Sequence, residues 1–338
     1  MKLLVLGGTR YVGPAIVEAA LAGKHTVTLF NRGKTNPELF PGVEKLRGDR
    51  DANELDALKG RTWDAVIDTY VEKPRLVRQA LDVVAPKAGM YLFVSSVSVY
   101  ADLSKPGVDE TAPLQVEPLA PSARSKDGDL GDVGAGYENF GPMKAACEKL
   151  VLERMKEHGA VVRPHVIVGA GDRSDRLPYW VARVARGGDV LAPAPREQPV
   201  QFVDVRDLGA FVVKLAEDGH GGVFNAAGTR GCDTFEELLH GLKVVTGGDA
   251  RFAWAEPEWL AEHGVAPWKD LPLWPPTGNE GVNAISTARA RAHGFAPRAA
   301  GETLRDVWAW ERTREAGHAW KSGLTAERER ELVKQLRG

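Results

Sequence analysis

Lys2-Leu3-Leu4-Val5-Leu6-Gly7-Gly8-Thr9-Arg10-Tyr11-Val12-Gly13 is the stretch on which the reading of this chain turns. A short apolar run ends on two glycines and passes into a helical pattern over residues 14–22. Pro14 falls in the first turn of that pattern, where its missing N–H costs little. Glycines at a strand-to-helix turn let the backbone close on a pyrophosphate. The helix N-terminus adds free N–H groups and the positive end of its dipole. A glycine pattern alone says little; its place straight after a first strand and before a helix points to a dinucleotide-binding loop. Gly7, Gly8, Thr9, Arg10, Tyr11, Val12 and Gly13 are therefore candidate cofactor contacts, although the third glycine usual at this spacing is replaced by Arg10.

Outward from the loop, short apolar runs alternate with helical patterns. Strands are expected at 2–6, 26–30, 43–46, 65–68, 90–95 and 160–162, with shorter ones at 201–205 and 223–225. Helices are expected at 14–22, 53–58, 74–84, 142–156, 303–313 and 326–336. This alternation implies an α/β fold, a doubly wound parallel sheet of Rossmann type. Residues 1–165 and about 198–230 are assigned to the dinucleotide-binding part, about 166–197 and 231–338 to a smaller α+β substrate part. Residues 112–136 break the rhythm with Pro113, Pro118 and Pro121 and then Gly128, Gly131, Gly134 and Gly136, and read as a long mobile loop. Eight of the nine tryptophans stand at or after Trp180, which makes the C-terminal part either the walls of a cleft or a core of large residues.

Composition narrows the function classes. The 338 residues carry 44 Lys and Arg against 46 Asp and Glu, a net charge of −2 that speaks against a dedicated nucleic-acid binder. No apolar run is long enough to span a bilayer, so no membrane partner is expected. The apolar start stops at Gly7, short of a signal core, which reads as a cytoplasmic chain opening on a buried strand. Two cysteines, Cys147 and Cys232, suit a reducing compartment, and the histidines lack metal-ligand spacing, so no metal is expected. Gly33-Lys34-Thr35 imitates the end of a phosphate-binding P-loop, but the glycine required five positions before Gly33 is Thr28.

The end of the second strand bears on which dinucleotide binds. An acid there would hold the adenosine ribose and repel a 2′-phosphate. The chain instead reads Thr28-Leu29-Phe30-Asn31-Arg32-Gly33, with no acid before Glu38. Arg32 and Arg10, with their forked donors, suit a phosphate dianion, so NADP(H) is favoured over NAD(H), with Asn31 and Arg32 as contacts. Asp49 and Arg50 follow the third strand, where Asp49 is placed either to accept from an adenine amino group or to cap a helix. Asp68, Thr69 and Tyr70 follow the fourth strand and are expected near the nicotinamide ribose and pyrophosphate.

The glycine loop, Gly48-Asp49, Ser95-Ser96-Val97-Ser98-Val99-Tyr100, the Lys144 helix, Arg163-Pro164 with Gly169, Val203-Asp204-Val205-Arg206-Asp207 and Asn225-Ala226-Ala227-Gly228 together resemble one family. It is the extended short-chain dehydrogenase/reductase superfamily, the nucleotide-sugar epimerases and dehydratases and their relatives, and the likeness runs through most of the chain. The resemblance implies a serine that bonds the substrate oxygen, here Ser96, and a lysine that holds the cofactor ribose, here Lys144. It also implies Ser95, Pro164, His165 and Val166 beside the nicotinamide. The family's acid/base is a tyrosine whose phenol, ordinarily near pKa ~10, is lowered by the lysine and the cofactor ring. Phe140-Gly141-Pro142-Met143-Lys144 matches that motif with Phe140 in the tyrosine's place.

Phenylalanine has no ionisable proton, which leaves three explanations open. Tyr137, about one helical turn earlier, can present its hydroxyl to the same pocket. The proton can come from another group, His165 among them, or from water. Or the chain binds cofactor without turning it over. Taking Tyr137 as the motif tyrosine puts Gly141 where the lysine belongs, so the register through Phe140 and Lys144 is kept. On the substrate side, Phe140, Arg176, Tyr179 and Trp180 are candidates beside Ser96. The arginines of residues 172–176 suit an anion such as a sugar-nucleotide diphosphate, whereas the tryptophans suit a flat, partly apolar ring.

The leading expectation is an NADP(H)-preferring oxidoreductase acting on a carbonyl or related group of a small or mid-sized metabolite, with a non-standard proton donor. One alternative is a regulatory or RNA-associated relative without redox turnover, as in the chloroplast stem-loop RNA-binding branch, which shares a GGTR-type loop. A second is a nucleotide-sugar epimerase or dehydratase. The resemblance also implies a homodimer through the Lys144 helix.

Overall fold

The computed structural model describes residues 1–69, 73–115, 137–315 and 317–338, and only the backbone of Tyr137 and Glu138. Strand β1 (Lys2–Leu6) is buried on both faces, and its period-2 geometry divides its side chains between two cores. Leu3 and Val5 join Ile16 and Val17 of α1 (Val12–Ala22) and Leu208 of α5 (Val205–Asp218). Leu4 and Leu6 join Val77 and Ala80 of α2 (Pro74–Val84) and Cys147 and Val151 of α3 (Tyr137–Met155). Around β1 stand β2 (Thr26–Asn31), β3 (Glu44–Arg47), β4 (Trp63–Asp68), β5 (Ala88–Val94), β6 (Gly159–Pro164) and β10 (Gly222–Ala226). They form one seven-stranded parallel sheet in the order β10-β6-β5-β4-β1-β2-β3, with Leu3 opposite Val27 and Ala65.

The chain leaves β1 toward β2 on one side and returns through β4 on the other. That reversal opens a crevice at the carboxyl ends of these strands, the place where such sheets bind ligands. Helices α1 and α5 cover one face of the sheet in close contact. A Cβ added at Gly209 of α5 would lie 2.7 Å from the Ala15 carbonyl group, so no side chain separates the two backbones.

A second core lies beyond the sheet. It packs α4 (Arg176–Ala185), α6 (Phe235–Thr246), α9 (Ala300–Glu311) and α10 (Ala326–Arg337) on the strand pair β8 (Asp189–Pro193) and β11 (Arg251–Ala255). Trp180, Phe235, Trp274 and Leu304 are buried there, and Trp259 and Trp308 pack against it. Most of the C-terminal tryptophans thus serve as core, and the reading of them as cleft walls is corrected, Trp268 apart. Large rings fill the space left by short, irregular elements.

Local differences from the expected elements have physical causes. Helix α3 begins before residue 142 and carries Pro142 inside it. Residues 201–205 form only the two-residue strand β9 (Val203–Asp204), which pairs with β7 (Ile167–Val168). The strand is cut short because the Asp204 carboxylate accepts the Arg206 N–H and starts α5 there. The helix expected at 53–58 is one 3-10 turn, Asp56–Leu58. From residue 116 the proline- and glycine-rich stretch lies outside the described residues. Among the described residues no helix is long and apolar enough to cross a membrane.

Candidate active site

The crevice holds a groove of about 600 Å³ lined by the loop between β1 and α1 and by the ends of β2 and β3. Its curvature depends on missing side chains. A Cβ on Gly13 would sit 2.6 Å from the Gly8 backbone, closer than any real Cβ approaches. Gly7, Gly8, Thr9, Arg10, Tyr11 and Val12 all line the groove, and the N–H groups of Arg10 and Tyr11 have no acceptor within the described chain. The Tyr11 hydroxyl is also buried without a partner; burial, and then the nearby Asp172, push its phenol well above its ordinary range. Unsatisfied donors around a curved backbone are what a bound pyrophosphate would satisfy, so the residues present fit a dinucleotide.

Several predicted contacts hold the groove rather than face a ligand. The Asn31 amide donates to the Gly7 carbonyl at 2.8 Å, and its oxygen accepts from the Gly33 N–H at 2.9 Å and from Arg47. Asn36 props the loop by donating to the Thr9 carbonyl at 3.0 Å, and the Thr69 hydroxyl donates to the Leu6 carbonyl at 2.9 Å. Asp68 is corrected outright. It is fully buried, its carboxylate accepts the two-pronged Arg50 guanidinium at 2.8 and 3.0 Å, and the Tyr91 hydroxyl donates to it at 2.7 Å. Arg50 lines the groove, and its two Nη atoms donate to Asp68 and the Leu76 carbonyl. Asp49 lines the groove 3.7 Å from Arg32. Lys34, Thr35 and Asp51 line it as well and were not foreseen; the sequence signal was present, since Lys34-Thr35 follows the singled-out Arg32. Tyr70 lies outside the described residues.

A second cavity, of about 740 Å³, opens at the carboxyl ends of β5 and β6. Ser95, Ser96, Phe140, Pro164, His165, Val166 and Arg176 line it, so sequence candidates from four segments meet here. Among the described residues the Ser95 Oγ is buried without a partner. Ser96 Oγ accepts the Ser98 N–H at 3.1 Å and donates to Ser98 Oγ at 3.0 Å, starting the 3-10 turn Val97–Val99. Half-buried Phe140 contributes a ring to the wall. One helical turn on, buried Lys144 donates from Nζ to the Val94 carbonyl at 2.7 Å, just before Ser95. Gly141 permits this approach, because a Cβ there would lie 2.1 Å from the Ser98 carbonyl oxygen.

His165 is corrected as a proton donor. The Asn283 amide donates to the Leu273 carbonyl, which turns its oxygen toward His165 Nε2 at 2.9 Å and makes that ring nitrogen the donor. Burial then pushes the His165 pKa down to about 4, so at neutral pH the ring is uncharged. The side chain of Tyr137 lies outside the described residues. Tyr179 and Trp180 are corrected as substrate residues. Trp180 is fully buried, edge-on to Phe235, and its indole N–H donates to the Pro272 carbonyl at 2.6 Å; Tyr179 packs beside it. Both belong to the inward face of α4, whose N-terminal Arg176 alone reaches the cavity. Gln115, Trp268, Lys269, Asn279, Lys321 and Ser322 also line the cavity. Trp268 fits the reading of the tryptophan-rich stretches as cleft walls; the others come from distant segments with no motif of their own, and nothing local in the sequence marks them.

Comparisons with known proteins agree with this geometry. Residues 135–227 match the model of the NAD dependent epimerase/dehydratase family. The chain is 30% identical over 248 residues to the chloroplast stem-loop binding protein of 41 kDa b from Arabidopsis thaliana, a match that covers 68% of this chain and 59% of that protein. Among solved structures it is similar to a UDP-glucose 4-epimerase, with a TM-score of 0.67 at 16% identity over 94% of this chain and 100% of the other. It is also similar to a dTDP-glucose 4,6-dehydratase from Bacillus anthracis in complex with NAD, with a TM-score of 0.64 at 16% identity over 98% and 99% of the two chains. Sheet order and glycine loop are those of the Rossmann-type fold of these structures, and residues 135–227 carry the likeness to the NAD dependent epimerase/dehydratase family.

Proposed function

We propose that the chain binds NAD(P) along the first groove and acts on a sugar-nucleotide-type substrate in the second cavity, as an epimerase or dehydratase. The observation that carries this reading is the placement of both cavities at the carboxyl edge of one sheet, with Ser95 and Ser96 lining the second and Lys144 just behind them. The matched family and the solved neighbours support it over simple carbonyl reduction. A nicotinamide, when bound, supplies a hydride acceptor and donor. The chain's own residues then do the rest. The loop amides hold the phosphates, Ser96 orients a substrate oxygen, and Phe140 closes the wall without offering a proton. The preference for NADP(H) is kept as part of the proposal, supported by exposed Arg10, Arg32 and Lys34 around one groove.

A second reading is binding without turnover. It is favoured by Phe140 at the position where the resemblance expects tyrosine, and by the stem-loop-binding relative. One experiment separates the two. NAD and NADP binding is measured by calorimetry, and conversion of UDP-glucose is followed by product chromatography with bound cofactor. Binding with conversion supports the enzyme, and Tyr137→Phe then tests that hydroxyl. Binding with no conversion of UDP-glucose favours the second reading, and no binding of either cofactor overturns both.

A further inference from the structure

Two buried polar atoms on neighbouring segments have no hydrogen-bond partner among the described residues. One is the Tyr11 hydroxyl, at the end of a side chain that leaves the glycine loop. The other is Oδ2 of buried Asp172, in the loop between β7 and α4. A Cβ on Gly169 would lie 3.8 Å from the Tyr11 hydroxyl, and the Asp172 N–H donates to the Gly169 carbonyl at 3.2 Å. The hydroxyl therefore lies over the turn that Asp172 closes. Burial, and then the nearby Asp172, raise the Tyr11 phenol, so the hydroxyl keeps its proton and is a donor in need of an acceptor.

The other carboxylate oxygens that face Tyr11 are engaged. Asp204 Oδ1 accepts the Arg206 N–H at 2.9 Å, and its Oδ2 accepts from the Arg206 guanidinium at 2.7 Å and from Thr303 at 2.7 Å. Asp172 Oδ1 accepts the Ser174 N–H at 2.8 Å, which leaves Oδ2 as the open acceptor. Leaving a buried hydroxyl and a buried carboxylate oxygen both unpaired costs more than ordering one water between them.

The backbone supplies the reason for an anchor at this point. Tyr11 stands at φ +41°, ψ −84° before the first turn of α1, a conformation uncommon for a residue with a side chain, and no side chain caps that helix end. Its own N–H is one of the free donors that line the first groove. A tethered hydroxyl holds such a backbone in place.

We propose that one internal water joins the Tyr11 hydroxyl to Asp172 Oδ2, and that Asp172 is thereby the positioning residue of the cofactor loop. The water accepts from the hydroxyl and donates to the carboxylate. With its other oxygen Asp172 holds a wall of the second cavity. Ser174, whose N–H is bonded to Oδ1, accepts from Arg176 Nε on its own hydroxyl at 2.9 Å, and both residues line that cavity. One aspartate, far in sequence from the glycine loop, thus braces a part of each site. The inference rests on the reading of the first groove as the NAD(P) site.

The test is a double-mutant cycle read by urea unfolding and by calorimetric binding of whichever of NAD and NADP binds. Tyr11→Phe removes the hydroxyl alone. Asp172→Asn keeps an oxygen for the Ser174 N–H, which turns the amide NH2 toward Tyr11 and so removes the acceptor. Each single variant lowers the urea midpoint, and Tyr11→Phe placed in the Asp172→Asn background lowers it no further. Each single variant also weakens NAD(P) binding about three- to tenfold, again without summing in the double variant. Additive losses in both readouts overturn the link between the two residues. A lowered midpoint with native cofactor affinity, the mark of a merely structural contact, overturns the positioning role. A crystal structure of the native chain shows one water within hydrogen-bond reach of both atoms, and a hydroxyl in direct contact with the carboxylate overturns the water. Failure of both dinucleotides to bind the native chain sinks the reading of the groove, while the urea cycle still decides the link.

Discussion

The two cavities sit on one sheet edge and are built by opposite means. The first groove is shaped by backbone: glycines that cannot be replaced, free amides, and side chains such as Asn31 and Asn36 spent on bracing the loop. The second is shaped by side chains delivered from segments as far apart as Ser95 and Ser322, each held by its own partner. A backbone-built site is defined by a few short runs at neighbouring strand ends and tolerates little. A side-chain-built site is defined by the whole fold, so its chemistry can change one residue at a time, as Phe140 illustrates.

The sharpest way to break this contrast is to remove the buried charge beneath the groove. Asp68→Ala removes the buried carboxylate to which Arg50 and Tyr91 donate and is expected to cost about 3–5 kcal/mol in urea unfolding. A loss below about 1 kcal/mol would mean that the pair does not support the groove.

The second cavity gives the next largest effect, through acid. His165 has an ordinary pKa of 6.5 and is held at about 4 in the fold, so the unfolded chain binds the extra proton first. Stability is therefore full above pH 6.5 and falls as the pH drops toward about 4, by up to about 3 kcal/mol over that window. Melting curves of the native chain and of His165→Gln, compared between neutral and mildly acid pH, check this. An equal acid loss in both would exclude His165 as its source.

Gly13→Ala returns to the groove. The added Cβ has no room against Gly8, and overpacking of this kind costs about 1–3 kcal/mol, read here as weakened NAD(P) binding together with a lower melting midpoint. Unchanged binding would show that the loop relaxes. The smallest effect is expected at Arg32→Ala. Its side chain is exposed, and its contact with Asp49 at 3.7 Å contributes little to stability, so melting stays unchanged. NADP affinity should drop about three- to tenfold relative to NAD, and an unaltered ratio would remove Arg32 from cofactor selection.

The same contrast explains what the sequence disclosed. β1, the glycine loop and α2 stand where periodicity and turn chemistry place them, because local forces decide them. The groove was legible down to Arg10 and Arg32. Asp68 was misjudged because its place after β4 suggested a ligand contact, while its partners Arg50 and Tyr91 lie on neighbouring segments that only the sheet brings together. Trp180 was misjudged for a related reason: composition cannot tell which way a helix turns its rings, and α4 turns them inward. His165, expected beside the nicotinamide, lines the second cavity, and its uncharged state comes from burial among segments as distant as that of Asn283. Lys269 and Lys321 left no trace, since a lone surface lysine acquires meaning only from the walls that meet it.

The contact between α1 and α5 has a mechanical consequence. With no side chain between Gly209 and Ala15, the two helices have nothing compressible at their crossing. The glycine loop rides on the head of α1. The head of α5 is tied into the second core, because Thr303 donates to Asp204 at 2.7 Å and Arg206 to Asp306 at 2.6 Å. Backbone contact and these bonds thus join the glycine loop to the second core through two packed helices, with Gly209 at their crossing.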